Sequence, residues 1–127
     1  MTVQLNHPIG FAHDKSASAR FLADILGLEP PSGYGPFMVV EVGNGTSLDF
    51  MDTSGEIPWQ HYAFLVGEGE FDEIFGRIRE RALPYWADPH HSEPGEINHH
   101  DGGRGLYFDD PDGHNLEIIT RPYGSGA

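Results

Sequence analysis

The sequence predicts an α+β fold built from two copies of one order of elements: strand, helix, strand, strand, strand. His7 precedes Pro30 by the same 23 positions that separate His61 from Pro84. An amphipathic helical pattern lies between each His and its Pro. Each half then ends in a strand whose carboxylate follows a Leu and precedes two apolar residues. These closing strings read Ser-Leu-Asp-Phe-Met at 47–51 and Asn-Leu-Glu-Ile-Ile at 115–119.

The first half begins with alternating apolar residues over 3–11, which predict a strand, although Pro8 indicates an edge position or a bulge. Asp14 or Ser16 can cap the helix that follows, and Gly27 is expected to end it. The Gly43-Asn44-Gly45 sequence is typical of a hairpin turn. It joins the two strands predicted at Phe37–Val42 and Ser47–Met51.

The second half repeats this order, with a strand at Gln60–Val66 and a helix that ends before Pro84. A long loop, Asp88–Gly103, rich in His, Gly and acidic residues, accounts for its greater length. Asp110-Pro111-Asp112-Gly113 has the residues of a tight turn and joins the last two strands. The remaining strands are predicted at Tyr85–Ala87, Leu106–Phe108 and Asn115–Arg121. We therefore expect one domain, 1–127, with modules 1–52 and 57–121 and a linker at 53–56.

Composition narrows the possible functions. The chain has 127 residues and a net charge of −13, which argues against nucleic acid because affinity for phosphates needs basic residues. It contains no cysteine, so disulfides, thiolate metal sites and a cysteine nucleophile are excluded. The first residues lack the pattern of a secretory signal, and no run of about 20 apolar residues could span a membrane. We expect a cytoplasmic protein that acts on a small molecule.

The repeat makes His7 equivalent to His61 and Asp49 equivalent to Glu117. Pairing the two copies about a pseudo-twofold axis could bring two imidazoles and two carboxylates together. Such nitrogen and oxygen ligands suit Fe²⁺, Mn²⁺, Ni²⁺, Co²⁺ or Zn²⁺, and two His with one carboxylate leave positions open for a substrate. A cation would also explain an acid inside an apolar strand. Asp49 is the weakest of the four candidates because its side chain is one methylene shorter than that of Glu.

Other residues are candidates for proton transfer, each with a simpler interpretation beside it. Alternation separates Tyr107 from its neighbours and could point it into a cavity, although a core aromatic is the simpler interpretation. His99 and His100 could supply a general base from the long loop, or could be solvated loop residues. His114 is predicted to be a turn residue rather than a ligand. Alternation also places His61 on the face opposite Tyr62, which is expected to pack on a helix.

These residues resemble the vicinal oxygen chelate superfamily, which includes glyoxalases, bleomycin-resistance proteins, fosfomycin-resistance enzymes and extradiol dioxygenases. The likeness covers nearly the whole chain and is most specific at 105–119, where Tyr-Phe-x-Asp-Pro-x-Gly precedes the strand Glu. The resemblance implies paired βαβββ modules that form a curved mixed sheet around a cup-shaped metal site. It also implies a homodimer, often with swapped modules.

The same resemblance assigns roles to individual residues. His7, His61 and Glu117 match the three ligands shared by the metalloenzymes of the superfamily. Asp49 stands where glyoxalase I has a fourth ligand, a Glu, and Tyr107 stands where extradiol dioxygenases have a catalytic Tyr. The second-sphere His of those dioxygenases corresponds approximately to His99 or His100, in the His-rich loop.

We therefore expect a divalent-metal-dependent enzyme that acts on a small oxygenated molecule. Its reaction would be lyase- or isomerase-like, with Glu117 or Asp49 as a base, or a ring-cleaving dioxygenation. The scarcity of basic residues disfavours glutathione-type and phosphonate substrates. The alternative is a protein similar to bleomycin-resistance proteins, which binds a drug or metabolite in a dimer cleft without catalysis.

Overall fold

The computed structural model describes residues 3–126. The chain forms two compact units, one up to residue 58 and one from residue 59. Each unit combines one long helix with one mixed sheet, so the fold is α+β with two modules of strands and a helix, as predicted. No helix within residues 3–126 is long and apolar enough to cross a bilayer.

The first unit is a four-stranded sheet with one helix. The strand order is β1-β4-β3-β2, in which β1 runs parallel to β4 and the other neighbours are antiparallel. Its elements are β1 (Ile9–Ala12), α1 (Lys15–Leu26), β2 (Ser32–Tyr34), β3 (Phe37–Glu41) and β4 (Ser47–Asp52).

Local sequence explains where α1 begins and ends. The side chain of Asp14 accepts a hydrogen bond of 3.1 Å from the backbone N–H of Ala17, which confirms the predicted N-cap. Gly27 follows the helix with φ of 71°, a left-handed conformation that favours glycine. The apolar stripe between them, which includes Leu22 and Ile25, is buried.

In the first unit, one predicted strand boundary was wrong and one strand of the repeat had not been located. The first strand was predicted over 3–11 but spans Ile9–Ala12, because Pro8 has no N–H to donate. The preceding backbone still follows β4, since the carbonyl of Pro8 accepts a 3.1 Å hydrogen bond from the N–H of Asp49. The repeated order of elements implies a strand between α1 and β3, and β2 fills that place, but its position was not predicted because its three residues are exposed and carry no apolar alternation.

The second unit repeats the parallel pairing of the first. Its strand order is β5-β7-β6, in which β5 runs parallel to β7 and β6 antiparallel to β7. A 3-10 helix at His100–Gly102 lies in the long loop. The other elements are β5 (His61–Leu65), α2 (Glu68–Glu80), β6 (Gly105–Asp109) and β7 (Asn115–Ile119).

The predicted strand at Tyr85–Ala87 is absent as a strand from the part of the chain that the structure describes. Trp86 instead forms isolated bridges, with N–H···O bonds of 2.9 and 2.8 Å exchanged with Tyr107 beside β6. Trp86 also bridges to Pro94, so the chain reverses direction within a few residues. The pairing therefore stops after a single residue.

Side chains from α2 and from β6 and β7 form the core of the second unit. Phe71, Ile74 and Ile78 lie on one face of α2 and are almost completely buried. Arg104 secures the start of this helix, since its guanidinium donates to the carboxylates of Glu68 and Asp72. The strand contribution to the core consists of Leu106, Phe108, Leu116 and Ile118.

Candidate metal centre

The register of β5 and β7 brings His61 and Glu117 together. Ala63 of β5 lies opposite Glu117 of β7, and His61 is two residues before Ala63, on the same face. The imidazole Nε2 of His61 lies 2.8 Å from Oε1 of Glu117. Glu117 is 0% exposed, whereas the side chain of His61 is 38% exposed. A buried carboxylate therefore lies beside an imidazole that solvent can reach.

Two tyrosine hydroxyls complete the surroundings of the Glu117 carboxylate. The hydroxyl of Tyr123 donates a short hydrogen bond to Oε2 of Glu117. The hydroxyls of Tyr107 and Tyr123 lie 3.1 Å apart. Because a carboxylate only accepts, the single hydrogen of Tyr123 points to Glu117, and Tyr107 donates to Tyr123. The result is a directed chain from Tyr107 through Tyr123 to Glu117.

Both hydroxyls remain protonated at neutral pH. Burial raises the pKa of Tyr107 well above its usual value, and the hydrogen bond with Tyr123 and the nearby Glu117 raise it further. Burial also raises the pKa of Tyr123, as does its hydrogen bond to Glu117, while the bond from Tyr107 acts in the opposite direction. The two tyrosines are therefore hydrogen-bond donors rather than phenolate bases.

The first unit holds the other two predicted ligands in an equivalent register. Ile9 of β1 lies opposite Asp49 of β4, as Ala63 lies opposite Glu117. Asp49 is 7% exposed, and its Oδ1 accepts a 2.7 Å hydrogen bond from the hydroxyl of Ser47. His7 is exposed, and its Nδ1 lies 2.6 Å from the side-chain oxygen of Asn6. Donation from Nδ1 leaves the lone pair on Nε2.

The His61–Glu117 pair fits a divalent ion. Two ligands at about 2.1 Å from an ion and at right angles to each other lie about 3.0 Å apart, close to the 2.8 Å between Nε2 and Oε1. Imidazole nitrogen and carboxylate oxygen are ligands that Fe²⁺, Mn²⁺ and Zn²⁺ accept. Within residues 3–126, no group of three or more His, Cys, Asp or Glu side chains converges closely enough to hold a metal.

His99 and His100 line a separate feature of the second unit. Both are exposed and border a cavity of about 560 Å³ whose lining comes entirely from residues 87–100. Asp88 organises one wall, because its carboxylate accepts hydrogen bonds from the hydroxyl and N–H of Ser92 and from the N–H of Glu93. A general-base role for the two His stays a prediction.

His114 lies in the turn between β6 and β7, as predicted, and it also contacts the start of β5. It is 1% exposed, and its Nδ1 accepts a 2.9 Å hydrogen bond from the N–H of Gln60, immediately before β5. Its own N–H donates to the side chain of Asp110. His114 therefore joins the turn after β6 to the start of the strand that carries His61. Sequence alternation does not reveal this contact because the two partners lie 54 positions apart.

Sequence reasoning also missed Tyr123. It follows β7 in a segment rich in Gly and Ser, where no periodic pattern predicts which way a side chain points. The available signal was the large aromatic side chain of Tyr123, in a short segment that has no other aromatic residue.

Comparisons with known proteins show which proteins the chain is similar to. No family model matches the sequence. A solved structure named oxidase ChaP-H2 is 72% identical, covers 100% of both chains and superposes with a TM-score of 0.97. Oxidase ChaP-H1 is 69% identical over 97% of this chain and 99% of that chain, with a TM-score of 0.95.

More distant relatives identify the superfamily. Glutathione transferase FosA of Serratia marcescens is 28% identical over 93% of this chain and 81% of its own length. The fosfomycin resistance protein FosX of Mesorhizobium loti is 20% identical over 96% of this chain and 95% of that chain, with a TM-score of 0.70. The chain belongs to the vicinal oxygen chelate superfamily. Enzymes of this superfamily typically use a divalent metal, which agrees with the donor types of His61 and Glu117.

Proposed function

We propose that this vicinal oxygen chelate protein is a divalent-metal-dependent oxidase that acts on a small oxygenated molecule. The observation that carries the reaction class is the 72% identity, over the whole of both chains, to a protein named as an oxidase. The observation that supports a metal is the 2.8 Å approach of His61 Nε2 to the fully buried carboxylate of Glu117.

We propose His7, His61 and Glu117 as the ligands, with Asp49 as a fourth candidate. Because no three such side chains converge within residues 3–126 of one chain, the proposal requires His7 from a second copy of the chain. Two His and one carboxylate with open positions is the ligand set typical of non-haem Fe²⁺ oxygenases, so Fe²⁺ is the metal we propose. A bound Fe²⁺ supplies Lewis acidity toward two neighbouring oxygens of a substrate and redox chemistry toward O₂. His7 is suited to this role because donation from its Nδ1 to Asn6 leaves the lone pair on Nε2 for a metal.

The protein itself contributes hydrogen bonds and a restricted choice of substrate. The hydroxyl of Tyr107 donates its hydrogen bond to Tyr123, while the lone pairs on its oxygen can accept a hydrogen bond from a substrate hydroxyl. His99 and His100, at the cavity of residues 87–100, are the proposed proton carriers to solvent. Arg104 is engaged by Glu68 and Asp72, so it offers little to an anionic substrate. We therefore favour a neutral, hydroxylated substrate.

Oxygen uptake tests this proposal. Protein reconstituted with Fe²⁺ without air is mixed with catechols and other polyhydroxylated aromatics in an oxygen-electrode cell. We expect O₂ uptake that needs both Fe²⁺ and substrate, and that Glu117→Ala and His61→Ala abolish. Glu41→Gln, an exposed carboxylate on β3, is the matched control and should retain the rate.

Two results would contradict the proposal. Uptake by wild-type protein no faster than by Glu117→Ala would refute a metal oxidase. Stabilisation by a drug or metabolite in the presence of a chelator, with no O₂ uptake, would instead indicate a binding protein.

We also propose that the protein is a homodimer. Light scattering of the intact chain measures its mass directly, and a monomer at working concentration would refute the dimer.

A further inference from the structure

The carboxylate of Glu117 has a different partner at each oxygen. Its Oε1 lies toward the imidazole of His61, and its Oε2 accepts the hydroxyl hydrogen of Tyr123. Because Glu117 is fully buried, water cannot replace either partner without opening the site. The hydroxyl of Tyr123 therefore fixes the orientation of the carboxylate group relative to His61.

Burial does not explain why Tyr123 stays in place, since it is 60% exposed. The segment that carries it, residues 120–126, is held from the other side by Asp101 of the long loop. The two carboxylate oxygens of Asp101 accept the N–H groups of Gly124 at 3.1 Å and Gly126 at 3.2 Å. We call this arrangement the Asp101 clasp.

Close backbone packing reinforces the Asp101 clasp. A Cβ placed on Gly126 would lie 2.1 Å from the backbone oxygen of Asp101, so no larger residue fits without displacing the chain. Gly103 is similarly restricted, because a Cβ there would lie 2.5 Å from the hydroxyl oxygen of Thr120. Residues 120–126 thus lie directly against the loop at 101–103, at both ends of the segment.

We propose that Tyr123 is a positioning residue for the Glu117 carboxylate, and that the Asp101 clasp holds it there. The inference rests on the proposed function, because the orientation of Glu117 matters most if Glu117 binds a metal. Hydrogen bonds to a metal-binding carboxylate orient it, and losing one typically costs about 10- to 100-fold in metal affinity. Tyr107 supports the arrangement by donating to Tyr123.

Metal affinity is the first test. Mn²⁺ alone is the probe, and the free ion is followed by electron paramagnetic resonance during titration of metal-free protein. Tyr123→Phe should raise the Kd about 10- to 100-fold, because it removes only the hydroxyl. Tyr34→Phe is the matched control: the same change at an exposed tyrosine of β2 should leave the Kd within twofold.

A second variant disturbs Tyr123 without touching it. Gly126→Ala should raise the Kd at least threefold, because the added methyl forces residues 120–126 away from Asp101. Gly43→Ala is its matched control, since a Cβ at Gly43 meets nothing within 4 Å. Equal Kd values for Gly126→Ala and Gly43→Ala would overturn the role of the Asp101 clasp.

A measurement without metal separates this inference from the proposed function. The ¹³C resonance of the Glu117 carboxyl carbon, assigned by its loss in Glu117→Gln, should move in Tyr123→Phe and stay unchanged in Tyr34→Phe. Wild-type protein that takes up no Mn²⁺ would refute the proposed metal site, and the carbon resonance alone would then decide whether Tyr123 orients Glu117. Wild-type uptake with a Tyr123→Phe Kd within threefold would overturn the positioning role alone.

Discussion

The Glu117→Gln variant should be more stable to heat than wild type without metal and less stable than wild type with metal. The substitution keeps the shape of the side chain and removes its charge. A Gln amide can still accept from Tyr123 through its oxygen and donate to Nε2 of His61 through its nitrogen. The fully buried site therefore loses a charge without leaving a polar atom unpaired.

The expected magnitude follows from these contacts. Removing the buried charge recovers several kcal/mol of desolvation penalty. Two charge-assisted hydrogen bonds become neutral ones, at a cost of about 1 kcal/mol each. The metal-free variant should therefore be about 1–2 kcal/mol more stable than wild type. With an unfolding entropy of about 2.1 cal/mol/K per residue, 1 kcal/mol corresponds to about 4 °C for this chain, so the melting temperature should rise by about 4–8 °C.

Metal should act in the opposite direction. Free metal at 100 times its Kd stabilises a protein that binds it only when folded by about 2.7 kcal/mol. Wild type should therefore melt about 10 °C higher with metal, whereas Glu117→Gln should not respond. The variant would then be the more stable protein in chelator and the less stable one in metal.

Differential scanning calorimetry in chelator and in excess Mn²⁺ measures both differences. Glu41→Gln, which makes the same change at an exposed position of β3, controls for the loss of a negative charge and should track wild type in both buffers. A metal-free Glu117→Gln that melts several degrees below wild type would refute the reasoning. That result would mean that the charge of Glu117 stabilises the folded protein rather than destabilising it.

Three further outcomes test the fold around the site. His114→Ala should cost about 2–4 kcal/mol in urea unfolding, because it leaves a cavity and removes the acceptor of the Gln60 N–H; a cost below about 0.5 kcal/mol would contradict its anchoring role. Asp88→Asn should speed amide exchange at Ser92 near pH 7, since hydrogen bonds from the Ser92 hydroxyl and from backbone N–H groups lower the pKa of the Asp88 carboxyl. A carboxyl whose pKa is lower in the folded state stabilises the fold fully above its unfolded-state pKa, and this stabilisation is lost as pH falls through its folded-state pKa. The exchange rates of variant and wild type should therefore converge at acid pH. Equal exchange rates at pH 7 would contradict this prediction. A double-mutant cycle of Arg104→Met with Asp72→Asn should give a coupling of about 0.5 kcal/mol that weakens in high salt, and a salt-independent coupling would rule out an exposed ion pair.

The elements of the fold were largely predictable, because they depend on local features of the sequence. Asp14 and Gly27 delimit α1 as expected, and the apolar stripe of α2 is buried. The duplication was visible in the spacing of His7 and His61, and it reappears as two parallel strand pairs of equal register. Errors fall where a neighbouring strand decides the outcome, as at β2 and at Trp86.

The candidate site was predictable only in part. Alternation along β5 and β7 identified one face with His61 and another with Glu117, but could not show that the two side chains meet at 2.8 Å. That contact depends on the parallel register, which aligns Ala63 with Glu117. The assignment of His7, His61, Asp49 and Glu117 as metal ligands stays a prediction.

By itself, the sequence determined the helices, the turns, most of the strands and the residue types available for chemistry, because periodicity and turn preferences act over a few positions. Only the tertiary structure decided that Tyr123 returns to Glu117, that Asp101 holds its segment, and that His114 supports β5. These contacts join irregular segments to strands and loops through one or two hydrogen bonds each. Such bonds leave no repeating pattern along a chain, so only the folded backbone reveals them.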